Sequence, residues 1–360
     1  MKDKKYLKNR AEVIFLALFF IFAITLLISP IAYSYDKSDP RDSQSPYGVL
    51  DFLMWNHEWN YYHYDTKEKI ERAVDMMKDA GIGFVRMDIL WYDIEPAPGH
   101  FDFAKYDMIV DIIGKRGISV LGILHYNPSW DNEPWNKAPN IELYTKYACK
   151  TVEHFKDRIM YWEIWNEPDE PEYWIPQDDM KTYTALLKRV YPAIKKVDPS
   201  CKVLMGGVSN KIPYSLKRIY ENNGKDFFDI INIHPFENPG GEDPVKKIYY
   251  TYKAVRDIME KYDDYDKSIW FTEIGCPGMK TSSKRIGWWF GQGPDEQVQA
   301  EWVRQVYDNC LKWQGVDKVF WAFFRDTDCH FKSAVDYFGL VRNDFSEKPS
   351  YEAYKSIAKE

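Results

Sequence analysis

Two short stretches carry carboxylates where carboxylates are costly. The first is YWEIWNEPDE, Tyr161 to Glu170, which packs two tryptophans and four acids, Glu163, Glu167, Asp169 and Glu170, around a proline. The second is WFTEIG, Trp270 to Gly275, about a hundred residues further on, which leads to Glu273. In each, an apolar aromatic run ends in a glutamate. Apolar neighbours disfavour the charged form of a carboxyl group, whereas a nearby cation favours it. A protonated acid and an ionised carboxylate facing one centre can donate a proton on one side and attack on the other.

Such a pair works only if the fold brings the two together. From Tyr47 the chain alternates short apolar runs with helical periods. The runs predict strands at 47–53, 83–89, 119–125, 159–166, 202–208, 229–236, 268–274 and 318–324. Most are continuously apolar, as strands buried on both faces are. Amphipathic stretches between them predict helices at 66–80, 103–116, 139–156, 179–197, 213–223, 244–262, 295–314 and 348–359. The first is expected to start with a capping box, Asp65 with Glu68, and to stop at Gly81. Eight strand–helix units predict a single-domain (β/α)8 TIM barrel over 46–360. No glycine-rich phosphate loop follows the first strand, which argues against a dinucleotide fold.

Reactive residues of such barrels sit at the C-terminal strand ends. Read in order, those ends carry Arg86 and Asp88, then His125, Asn166 and Glu167, His234 and Phe236, Glu273, and Trp321 and Arg325. Two carboxylates on either side of a sugar ring are what glycosidic cleavage needs. One protonates the departing oxygen, and the other attacks the anomeric carbon or activates water. Arg86 is the cation expected to keep Glu273 ionised.

Composition points the same way. The chain has 360 residues with 14 Trp and 27 Tyr, rings whose amphipathic character suits the faces of sugars. A net charge of −7 gives no electrostatic reason to expect nucleic acid. Seven scattered histidines with no His-x-His after strand one point to no metal, and the chemistry requires no cofactor. Lys2, Lys4, Lys5, Lys8 and Arg10 precede the uncharged run Val13 to Ile28, and Ala32-Tyr33-Ser34 offers a cleavage site. Residues 1–34 therefore read as a signal peptide or an N-terminal anchor, with membrane attachment through 11–32. The expectation is a secreted protein or one on the outer face of the cell membrane. Residues 35–45 read as a polar linker. Cys276 and Cys329 each follow an apolar strand and are candidates for one bridge; the alternative is that all five cysteines are free.

WEIWNEP and WFTEIG resemble the two signature strands of clan A glycoside hydrolases, and RMDILWYDIEPAPGHFDFAKYD (86–107) is similar to their strand-two segment. Within the clan the chain looks most like family 39 and its family 5 relatives. The resemblance implies Glu167 as acid/base, Glu273 as nucleophile, Asn166 on the sugar 2-hydroxyl, Arg86 steadying the nucleophile and Trp321 flooring the sugar site. It also implies retention of configuration on an oligo- or polysaccharide substrate. The pattern departs at Phe236, where many relatives carry Tyr or His, so His234 is expected to compensate for a missing phenolic hydrogen bond. The alternative reading of the same residues is a carbohydrate-binding barrel without catalysis, whose mark would be loss of either carboxylate.

Other residues have plainer readings. Glu163 shares the inward parity of Glu167 and reads as a buried structural carboxylate lower in the barrel. Glu95 reads as a loop anchor, and Asp169 and Glu170, beyond the proline, are expected in solvent. His125 reads as either a satisfied core histidine or a substrate contact. Trp288 and Trp289, in the long loop 278–297, are expected to wall a flanking sugar subsite. Trp130 and Trp135, in NPSWDNEPW, are a similar case, and Trp55 and His57 after strand one offer another subsite.

Overall fold

The computed structural model describes residues 39–53, 63–279, 293–327 and 334–359. The N-terminal segment, Trp55, His57, Trp288, Trp289 and Cys329 lie outside these residues. Eight parallel strands run β1 (Tyr47–Leu50), β2 (Phe84–Leu90), β3 (Ser119–His125), β4 (Tyr161–Ile164), β5 (Lys202–Met205), β6 (Ile231–Ile233), β7 (Ile269–Ile274) and β8 (Val316–Ala322). They pair in the order β5-β4-β3-β2-β1-β8-β7-β6. Isolated bridges Leu204↔Ile230 and Val208↔Ile233 join β5 to β6 and bring the sheet round on itself. The (β/α)8 expectation holds.

Helices α1 (Lys67–Asp79), α2 (Ala104–Gly114), α3 (Ile141–Phe155), α4 (Lys181–Val197), α5 (Ile212–Glu221), α6 (Pro244–Lys261), α7 (Glu296–Cys310) and α8 (Pro349–Lys359) complete the units. Each turns an apolar stripe to the sheet; in α1 the stripe is Ile70, Ala73, Val74 and Met77. The expected capping box is not used. Thr66 caps α1 by accepting from the Lys69 N–H, and Asp65 pairs with Lys69 at 2.7 Å. Thr66 is one residue nearer the first turn, which puts its hydroxyl within reach of the third helical N–H. Gly81, at φ +80°, ends the helix as expected.

The barrel interior is layered. At the N-terminal end Phe84, Leu121, Tyr161, Leu204, Trp270 and Phe320 form an apolar floor. Residues 40–45, expected as linker, pack beneath it. Asp42 accepts from the Tyr161 hydroxyl at 2.7 Å, and Arg41 pairs with Asp198 at 2.8 Å. The polarity of this segment serves buried partners rather than solvent. Above the floor lies the Arg86–Glu163 ion pair, and above that the strand ends open into a cavity.

Candidate active site

The strand parity that buries Phe84 on the floor also turns Arg86 and Asp88 inward. Arg86 is almost wholly buried and has four polar contacts. Its Nε and Nη2 donate to Glu163 at 2.7 and 2.9 Å, its Nη2 also donates to Asn166 Oδ1 at 2.7 Å, and its Nη1 donates to Glu273 Oε1 at 2.6 Å. Burial alone would lower its pKa, but Glu163 and Glu273 reverse that and hold it above the ordinary value. Glu163 is the structural carboxylate expected: it fixes the guanidinium and also accepts from the Gly207 N–H at 3.0 Å.

Strand β4 ends where its backbone turns left-handed, at Trp165 (φ 67°) and Glu167 (φ 44°). Residues with side chains rarely adopt that region, and such outliers concentrate at functional sites. The turn, with Pro168 behind it, points the Glu167 carboxyl into the cavity. One oxygen of Glu167, one of Glu273 and a ring nitrogen of His234 all lie within 4.8 Å of one another. His234 Nδ1 sits 2.7 Å from Glu167 Oε1 and 3.8 Å from Glu273 Oε1. Its Nε2 meets Thr272 Oγ1 at 2.9 Å, and that hydroxyl donates to Asn232 Oδ1 at 2.6 Å. Thr272 thus accepts a hydrogen bond from the Nε2–H, which leaves the Nδ1 lone pair facing Glu167. Gly207 makes room for the ring, since a Cβ there would fall 2.0 Å from Nε2.

Burial drives both carboxyl groups upward, but not alike. Glu167 rises to about 8, first through burial and then through the negative charges of Asp169 and Glu170, against a smaller opposing pull from Arg86. Glu273 is also raised by burial, but His234 and Arg86 oppose the shift and Arg86 touches it directly. At neutral pH Glu167 therefore carries the proton, while Glu273 is the carboxyl group that the Arg86 guanidinium, in direct contact, holds toward its ionised form. Burial pushes His234 down, so its ring is neutral there.

The cavity measures about 1150 Å³. Arg86, Asn166, Glu167, His234 and Glu273 all line it, as expected, and so does Phe236. Three other expectations fail or shift. Trp321 does not floor the site: it follows the inward Phe320, points outward into the helical layer, and donates its Nε1–H to Phe338 O at 2.9 Å. The inward positions at that level are Ala322 and, across the pair with β1, Leu50, and both line the cavity. Trp130 turns away, with its Nε1–H on Glu95 O at 2.6 Å and its ring edge-on to Trp91. Trp135 from the same loop takes the rim instead, 48% exposed and 4.7 Å from the Tyr126 ring. His125 lies behind the wall, bonded to Asp88, which does line the cavity.

Asp169 corrects the solvent reading. It is buried and accepts from the N–H groups of Ser209, Asn210 and Lys211 and the Ser215 hydroxyl, at 3.0 to 3.3 Å. These donors lead into the N-terminus of α5, where an anion is favoured. They lie some forty positions away in the chain, so no local pattern signals them. Glu170 is half-buried, with Ser209 Oγ and Asn210 Nδ2 each at 3.4 Å. Tyr126 and Tyr173 on the wall went unnoticed; the signal available was an aromatic directly after a strand end and another just past Asn-Glu-Pro. Cys276 is buried and forms no bridge to another described cysteine; Cys329, its candidate partner, lies outside the described residues. Glu95 anchors its loop as expected, accepting from Trp91 Nε1 and Gly99 N, both at 2.7 Å.

A barrel with this strand-four and strand-seven glutamate pair defines a clan A glycoside hydrolase. Within the clan, the chain belongs to glycosyl hydrolase family 5: the family model described as Cellulase (glycosyl hydrolase family 5) matches residues 50–323. It is similar to the structure of a family 39 glycoside hydrolase from the gut symbiont Bacteroides cellulosilyticus WH2, with 25% identity and a TM-score of 0.70, covering 88% of this chain and 64% of that one. A family 5, subfamily 18 protein from Streptomyces cattleya, solved with GlcNAc, shares the fold at 15% identity and a TM-score of 0.68, covering 88% and 80%. A β-1,4-xylanase of Dictyoglomus thermophilum is 20% identical over 66% of this chain and 69% of its own length. Beta-glucosidase 25 of Oryza sativa subsp. japonica is 25% identical over 35% of this chain, and the match spans only 26% of the rice protein.

Proposed function

We propose that this chain is a retaining glycosidase that hydrolyses β-linked oligo- or polysaccharides, with Glu167 as acid/base and Glu273 as nucleophile. The observation that carries this is the oxygen–oxygen approach within 4.8 Å. Retaining pairs stand about 5–5.5 Å apart, while inverting pairs need about 6.5–9.5 Å to admit a water. In the first step Glu273 Oε attacks the anomeric carbon as the glycosidic bond breaks, and Glu167 gives its proton to the departing oxygen. In the second, Glu167, now ionised, takes a proton from water. That water attacks the anomeric carbon and releases Glu273. Asn166, held by Arg86, presents its amide to the 2-hydroxyl. The charged run and apolar stretch at the N-terminus support action outside the cytoplasm, as a released or an anchored protein. A barrel that only binds sugar gains nothing from holding two glutamates with opposed protonation.

Glu273→Gln is expected to lower turnover of aryl β-glycosides by several orders of magnitude with an unchanged circular dichroism spectrum. Near-normal turnover would overturn the assignment. Glu167→Ala should retain activity on substrates with good leaving groups and form β-glycosyl azide when azide is supplied. Absence of that product, or an α-configured one, would refute the acid/base role.

A further inference from the structure

Asp88 is the most conspicuous polar group of the cavity that the reaction above does not use. It stands one inward step along β2 from Arg86 and is 4% exposed. Its Oδ1 accepts from His125 Nε2, while its Oδ2 is buried and has no partner among the described residues. The imidazole is itself fixed: the Tyr126 ring stacks on it with centroids 3.8 Å apart. His125 Nδ1 also lacks a partner among the described residues, so the Nε2–H bond to Asp88 is the one that orients the ring there. A buried carboxylate oxygen left without a donor is costly. Asp88 lines the wall of the cavity, the side from which a bound molecule can supply one.

The position says which part of that molecule. Arg86, directly below, touches Glu273 and Asn166, the groups facing the anomeric carbon and the 2-hydroxyl. Asp88 continues the same inner face toward the mouth. It therefore meets the ring being transferred rather than the leaving group. A carboxyl acceptor there suits a hydroxyl donor on that ring, beyond the one at C2.

We propose that Asp88 is a specificity-determining residue that accepts a hydrogen bond from a glycone hydroxyl at C3, C4 or C6, and that His125 is the positioning residue that orients it. This rests on the glycosidase reading and adds to it a preference for glycones that keep that hydroxyl.

The test is a substrate–variant cycle. Wild type and Asp88→Ala are assayed on 4-nitrophenyl β-D-glucopyranoside or β-D-xylopyranoside, whichever turns over faster, and on its 3-deoxy, 4-deoxy and, for glucose, 6-deoxy analogues. A charge-assisted bond predicts that wild type loses roughly 10- to 100-fold in kcat/KM on one of these analogues. Asp88→Ala should lose a similar factor on the parent sugar but under about twofold more on that same analogue. His125→Gln should lower the wild-type discrimination without abolishing it. Equal deoxy penalties in wild type and Asp88→Ala would overturn the proposal even with the glycosidase activity intact. A merely structural role would lower all substrates together and shift the melting temperature. No turnover of any glycoside by wild type would instead overturn the glycosidase reading, and this proposal with it.

Discussion

On the proposed mechanism, Glu167 ties catalysis to stability through one protonation equilibrium. Its carboxyl group moves from an ordinary 4.5 to about 8 on folding. Below pH 4.5 the group is protonated in both the folded and unfolded chain and contributes nothing. Between 4.5 and 8 it is protonated when folded and ionised when unfolded, so unfolding releases a proton and stability falls as pH rises. Above 8 the loss is complete. At about 1.4 kcal/mol per pH unit, the penalty reaches about 3 kcal/mol at pH 7, an upper value because local hydration relieves part of it. Glu167→Gln removes the titration and leaves a neutral group of the same shape. Its expected stability matches wild type at pH 4 and exceeds it by about 1–3 kcal/mol at pH 7.5. Urea unfolding of both proteins across pH 4 to 8.5 measures the difference, and the wild-type kcat/KM profile should lose activity on its alkaline side near pH 8. A stability difference that does not change with pH, together with an alkaline limb below pH 6, would refute the account of Glu167 as a buried acid.

Two further tests separate neighbouring residues. Asp169→Asn removes a negative charge that raises Glu167 while leaving an acceptor for the loop before α5, so the alkaline limb should move to lower pH; an unmoved limb would place the cause of the shift elsewhere. Trp135→Ala should raise KM several-fold for oligosaccharides with little change in melting temperature. Trp321→Phe should do the reverse, costing about 1–2 kcal/mol through the lost bond to Phe338 with KM unchanged; a raised KM in the second variant would return Trp321 to the sugar site.

How far the chain could be read residue by residue follows from the range of the forces involved. Strand and helix periodicity is local, so the eight units, the strand ends and the inward turn of Arg86, Glu163 and Glu273 were legible in the order of residues. The Asn-Glu-Pro turn and the second glutamate three strands later mark the candidate pair in the sequence itself. Parity was legible too, but its origin was not. Trp321 was expected as a floor because the resemblance implies a strand-eight tryptophan there, and only the register of β8 against β1, with Phe320 opposite Gly48, turns it outward. Asp169 looked solvated because its donors come from the loop after β5. The role proposed for Asp88 rests on an oxygen without a partner among the described residues, a feature that exists only once the surrounding side chains are in place. The sequence by itself determined which residues could react and on which strand ends they stand. The tertiary structure alone decided their distances, their burial and hence which of the two glutamates holds the proton, because desolvation and charge pairing depend on groups brought together from across the barrel.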